Sequence, residues 1–462
     1  MSHHDEGLLG CLFVQQKSRE RMSFSRRQFF TLAGAGASCA VLAAPLRALY
    51  SREAGGKSVF GQGYGKLQAD PNGLLDLPEG FRYKAFSRTG EMMKDGNPVP
   101  GNHDGMAAFA GSNKTTILVR NHELSPSSST TVVAPENKKY DRLGRGGTTT
   151  LIVGANRELI KDYASLAGTY RNCAGGSTPW GSWISCEEST ATPDTNTPGN
   201  ANNVSKMHGY NFEVPARATG LVEPIPLVGM GRFNHEAIAV DPKTGIVYQT
   251  EDRGDSLFYR FIPKRSGFLQ AGGVLEALKI KGRPQAITKT GFTIGQSMAV
   301  EWVRIEEVNP VLDTVRVEGF AKGAAQFSRG EGIAYGNGEV YFACTNGGAA
   351  SKGQVWRYIP GKKPDEGGTI ELFVEPNDAT VLESPDNVIV SPFGDVFLCE
   401  DGDGTDYVVG VNSQGELYQF ARNALNDSEF CGVCFSPDGR TMFLNIQSPG
   451  ITFAIWGPWR RQ

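Results

Sequence analysis

Beyond residue 50 the chain lacks any apolar run long enough to cross a bilayer, so no stable membrane span is expected. Basic charge is also short: 46 Lys and Arg against 49 Asp and Glu give a formal net charge of −3. Residues 1–50 hold six of the basic and three of the acidic side chains, so the remainder carries −6. That excludes the basic footprint of a nucleic-acid binder. Neither a GxSxG string nor a Gly-rich P-loop occurs, so no serine-hydrolase elbow or nucleotide cradle is written into the chain. Cys431 and Cys434 have C-x2-C spacing, but no second pair or His stands at zinc-site distance. They read as core thiols or one local disulfide, and Cys186, Cys344 and Cys399 read as buried within apolar alternation.

What the chain has instead is glycine, 58 residues of it, and a repeated pattern. Each copy runs from a polar or acidic residue through a short apolar alternation and a Gly-containing turn to a second alternating run. Copies begin at His103-Asp104, Cys173, His235-Glu236, Arg329-Gly330-Glu331, Pro385-Asp386-Asn387 and Glu429. Period-2 alternation interrupted by turns predicts paired short strands. Repetition of such pairs predicts an all-β fold, a six-bladed β-propeller with long rim insertions. The 264–320 stretch has room for a seventh copy, and Thr/Asn/Pro-rich residues 189–207 read as a flexible rim loop. Length alone would suggest two or three domains, but the repeat argues for one propeller domain over 51–462.

Residues 1–50 read as a leader and export signal. Ser25-Arg26-Arg27-Gln28-Phe29-Phe30 precedes a mildly apolar, Ala/Gly-rich run from Thr31 to Ala44, the pattern of a twin-arginine signal. The expected partner is the twin-arginine export machinery, and the expected location is periplasmic or extracellular. Met22 leaves room for a start later than residue 1. Export in the folded state points to a cofactor loaded beforehand, and so to metal.

Glu123, Glu188, Glu251-Asp252 and Glu400-Asp401 close the second strand of their copies, while Glu236, Glu331 and Asp386 open the first. One such acid is ordinarily a solvated loop residue. The same slot in successive blades faces one rim, however, and carboxylates converging there repel one another unless cations neutralise them. Cys173 lies in a polar, Gly-rich opening, and reads either as a small residue in a tight turn or as a soft thiolate ligand for iron or zinc. His103, His122 and His235 adjoin the acids and read as structural histidines.

HDGMAAF, LVRNHE, YRNCAGGSTPWGSWISCEE, GRFNHEA, YQTEDRG, FSRGEG, and PDN followed by CEDG resemble the PhoX-type alkaline phosphatases, in order and over nearly all of the exported chain. The resemblance implies a propeller whose site combines two Fe3+ with Ca2+ ions and hydrolyses phosphomonoesters. It implies Cys173 as the thiolate on iron and Glu188, Glu236 and Glu331 as metal ligands. Arg329 would bind phosphate, and Glu400 and Asp401 are further ligand candidates. Glu123 and Glu251 are possible additional ligands. The substrate would be a small phosphate ester and the protein a monomer. A calcium-dependent propeller lactonase or esterase, or a non-catalytic binding propeller, would share the carboxylate rim without needing Cys173.

Overall fold

A computed structural model describes residues 63–363, 366–412 and 416–460. The leader and the twin-arginine motif lie outside the described residues. The described chain is all-β and propeller-like, with one short α-helix, Val315–Ala321.

Each sequence copy forms an inner strand and the strand returning beside it. The inner strands are His103–Ala110, Asn172–Ser177, His235–Val240, Gly330–Gly336, Pro385–Val390 and Phe430–Phe435. Each packs against the next in this order, and the last packs against the first, so they enclose a central channel. Further antiparallel strands extend each unit outward. The 264–320 stretch supplies outer strands, Gly273–Ile280 and Met298–Arg304, and no further inner strand. Met298–Arg304 also pairs with Thr369–Val374, joining the third and fourth units in one sheet. The early strand Arg82–Phe86 pairs with Ile451–Trp456 and completes the last sheet, while Leu75–Pro78 before it pairs with Leu417–Asn423 in the fifth.

Hydrophobic clusters fill the spaces between successive units. Phe258, Phe342 and Trp356 meet between the third and fourth, and Phe397, Phe420 and Phe453 between the fifth and sixth. Met106, Leu118 and Phe443 close the ring between the sixth and first. Burial of such side chains contributes about 1.5–3 kcal/mol each, and their repetition holds the inner strands at a common radius.

The inner strands approach closely where the sequence is smallest. A Cβ at Gly332 would lie 2.4 Å from the Asp386 carbonyl oxygen, and one at Gly432 would lie 2.5 Å from that of Asp104. Gly432 also has φ +65°, a backbone that L side chains resist.

Two insertions, residues 123–145 and 188–210, leave directly from the ends of returning strands and rise on one rim. The expected rim loop at 189–207 is anchored at its C-terminal end. Asp141 accepts bonds from Ser205 N, Ser205 Oγ and Lys206 N, and contacts His208 Nε2 at 3.2 Å. His208 Nδ1 lies 2.7 Å from Glu187 Oε1. Burial opposes charge on His208, but Glu187 and Asp141 outweigh it and push its pKa up to about 9 from 6.5.

Two outcomes follow. Gly332→Val forces a side chain into the neighbouring backbone and should destabilise the fold by about 1–3 kcal/mol, read as a lower thermal midpoint. For His208, the folded-state pKa exceeds the unfolded one, so its stabilisation is complete below pH 6.5 and is lost as pH rises through about 9. Thermal melts between pH 6 and 10 should show this decline in the wild type and a shallower one in His208→Gln.

Candidate metal centre

All six units present the same local construction to one mouth of the channel. Each inner strand carries a β-bulge near its start, with register shifts at 103/106, 172/175, 235/238, 330/333, 385/388 and 431/434. The residue just before each strand offers its carbonyl to the backbone N–H of the residue just after the returning strand. These bonds are Glu123 to Asn102, Glu188 to Arg171, Asp252 to Asn234, Thr345 to Arg329, Asp401 to Ser384 and Gln447 to Glu429. Asn102, Arg171, Arg329 and Ser384 take left-handed backbone, φ +44° to +53°, which L residues adopt at a cost and which re-aims the chain at the rim. Every unit therefore has three positions at the mouth: one before the strand, one in the bulge, and one capping the returning strand.

The bulge positions are Asp104, Cys173, Glu236, Glu331, Asp386 and Cys431, all buried. Together with neighbouring positions they form three sets whose ligand atoms lie within 4.8 Å of one another: Cys173, Glu188 and Glu236; Glu236, Glu331 and Asp386; Asp386, Asp401 and Glu429. Glu236 and Asp386 are each shared, so the sets make a continuous arc. Cys173 Sγ lies 3.1 Å from Glu236 Oε1, and Glu236 Oε2 is buried without a hydrogen-bond partner.

Electrostatics states what this arc requires. Burial, then the charges of Asp386, Glu188, Asp104 and Asp252, raises the pKa of Glu236 well above the carboxylate range. Burial and the neighbouring acids Asp252, Glu236 and Asp386 do the same to Glu331, and Asp386 is pushed up to about 7 by burial and Asp401. Burial and surrounding acids likewise raise the Cys173 thiol. A buried carboxylate oxygen without a partner, among acids that repel it, fits a cation. The donor set pairs one soft sulfur with hard oxygens, suiting a mixture of transition and alkaline-earth ions.

Of the sequence candidates, Cys173, Glu188, Glu236, Glu331 and Asp401 fall in the arc. Glu400 and Glu251 do not. Each is the last residue of its strand, one before the capping position, and the pleat turns it away. Glu400 accepts from Glu383 N at 2.8 Å and Tyr407 N at 2.9 Å. Glu251 accepts from Tyr259 Oη at 2.7 Å. Glu123 occupies a capping position but sits outside the three sets, bonded to Arg171 Nε at 2.8 Å and Gln447 Nε2 at 3.0 Å. Asp386, read from the sequence only as one of the converging acids, and Glu429, which opens its copy, enter the ligand sets through the fold.

Arg329 stands on the rim of the arc. Its Nε and Nη2 reach Asp252 Oδ1 and Oδ2 at 2.9 and 3.1 Å, and Nη2 also reaches Glu331 Oε1 at 2.6 Å. The histidines are structural. His103, His122 and His235 are buried against backbone carbonyls, and burial lowers all three pKa values, that of His235 to about 3. All six cysteines among the described residues are buried free thiols, so Cys431 and Cys434 are not joined.

The profile of the alkaline phosphatase PhoX family matches residues 62–450. Among solved structures, Pseudomonas fluorescens PhoX in complex with vanadate, a transition-state analogue, superposes with a TM-score of 0.66 at 16% identity, over 87% of this chain and 98% of that one. A Xanthomonas campestris gluconolactonase gives 0.40 at 10% identity over 81% and 90%. A Dyadobacter fermentans protein of unknown function gives 0.45 at 8% identity over 82% and 100%. No curated protein matches the sequence. With the match spanning most of its length, the chain belongs to the alkaline phosphatase PhoX family.

Proposed function

We propose that this protein is a metal-dependent phosphomonoesterase that releases inorganic phosphate from small phosphate esters, with Fe3+ and Ca2+ held along the acidic arc. The observation that carries this reading is the convergence of Cys173 with six carboxylates from five units beside the guanidinium of Arg329. Cys173, Glu188 and Glu236 form the softer end and suit iron, while Asp386, Asp401 and Glu429 are oxygen donors that suit calcium. When bound, such cations supply positive charge to the phosphoryl oxygens and acidify the attacking water.

The chain's own groups do the positioning. Asp252 fixes the plane of the Arg329 guanidinium through two bonds, leaving Nη1 without a protein partner among the described residues. That planar donor addresses phosphate oxygens, whose charge the reaction redistributes. Water adds to phosphorus, the ester P–O bond breaks, and the alcohol leaves with one of the water's protons. The buried, neutral histidines take no part in that transfer. A calcium-only lactonase or a binding propeller would have no use for a sulfur in the arc.

The six repeated units are read as six blades of one propeller domain over 51–462, working as a monomer. The twin-arginine motif supports export of the folded protein to the periplasm or beyond. No helix among the described residues is long and apolar enough to cross a membrane.

Protein purified from the exported fraction should contain iron together with calcium and hydrolyse p-nitrophenyl phosphate at alkaline pH; calcium alone would overturn the iron assignment. Glu236→Gln removes a ligand common to two sets, so elemental analysis should show less bound metal. Arg329→Ala should keep the fold and metal content but lower turnover about 100- to 1,000-fold. Unchanged kinetics would reject its role.

A further inference from the structure

We infer that Arg171 is a second phosphate-contacting guanidinium, on the same rim of the channel mouth as Arg329; this rests on the phosphatase reading above. The two arginines occupy the same position in different units. Both immediately precede an inner strand with left-handed backbone, φ +48° for Arg171 and +53° for Arg329. Both donate their backbone N–H to the preceding unit, Arg171 to Leu124 O at 3.0 Å and Arg329 to Arg253 O at 2.9 Å.

Their side chains are held alike. The capping acid of the preceding unit grips Nε, Glu123 for Arg171 and Asp252 for Arg329. An acid of the metal arc accepts from Nη2 at 2.6 Å in each case, Glu188 for Arg171 and Glu331 for Arg329. In both, Nη1 has no protein partner among the described residues, and the side chains are 41% and 35% exposed. Glu188 lies against Asp252, so Arg171, Glu188, Asp252, Arg329 and Glu331 form one chain of contacts along the same rim.

Asn102 and Ser384 share the left-handed backbone, but only Arg171 and Arg329 place a guanidinium at that position, held between a capping acid and an acid of the arc. Glu188 could be neutralised by a bound cation alone, yet an arginine contacts it and is steadied by Glu123, itself held by Gln447. Two fixed forks on one rim, each with an Nη1 that has no protein partner among the described residues, suit an oxyanion contacted by both. Glu123 is then a positioning residue.

The test compares wild type, Arg171→Gln and Arg171→Lys by calorimetric titration of the metal-loaded proteins with inorganic phosphate, alongside steady-state kinetics and metal content. Arg171→Gln should weaken phosphate binding about 10- to 100-fold and raise KM more than it lowers kcat. Arg171→Lys should recover part of the loss, because it restores charge without the fork. Phosphate affinity equal to wild type in both variants would overturn the inference, as would a loss that only tracks loss of metal. The phosphatase reading falls separately, if the metal-loaded wild type hydrolyses no phosphomonoester.

Discussion

Repulsion between buried carboxylates is the constraint around which this molecule is organised. Acids brought together in a low-dielectric channel cannot all ionise unless positive charge joins them. Burial and mutual repulsion raise the pKa values of Asp104, Glu188, Glu236, Glu331, Asp386, Asp401 and Glu429 alike. Cations on the arc and guanidiniums on its rim are two answers to one electrostatic demand. The same demand makes the mouth a receptor for an anion once the cations are in place.

The architecture meets this demand with a local device used in every unit. A bulge at the start of the inner strand turns one side chain into the channel, and a backbone bond from the returning strand fixes the capping residue beside it. Because the device is backbone-encoded, side chains at the three mouth positions can vary: thiol, carboxylate, amide or guanidinium. Small residues after the bulge, among them Gly105, Gly332 and Gly432, let neighbouring backbones approach closely enough for their ligands to meet. The clusters between sheets hold that geometry against the repulsion inside it.

The rim adds a second layer of electrostatics, set apart from the arc. His208, charged between Glu187 and Asp141, ties two insertions together directly behind Glu188. Glu187 and Asp141 push the His208 pKa up to about 9, so the tether keeps its charge through neutral pH. Glu251 and Glu400 also sit behind the mouth, Glu251 accepting from Tyr259 Oη and Glu400 from the backbone N–H groups of Glu383 and Tyr407.

The amino-acid sequence by itself determined the repeat, the strand pairs and the acids at their ends, since alternation and turn glycines are local properties. The acids Glu188, Glu236 and Glu331 and the Glu400-Asp401 pair were legible on that basis, whereas the pattern left Cys173 open and only the family resemblance made it a ligand. Tertiary structure alone decided between adjacent acids: Asp401 over Glu400, and Asp252 over Glu251. A one-residue step along a pleated strand reverses the face, and repeat boundaries read from sequence do not resolve one residue. Packing of consecutive units likewise brought Glu429 to Asp386 and Arg171 to Glu123. Those meetings depend on how separate sheets pack, which no local pattern encodes.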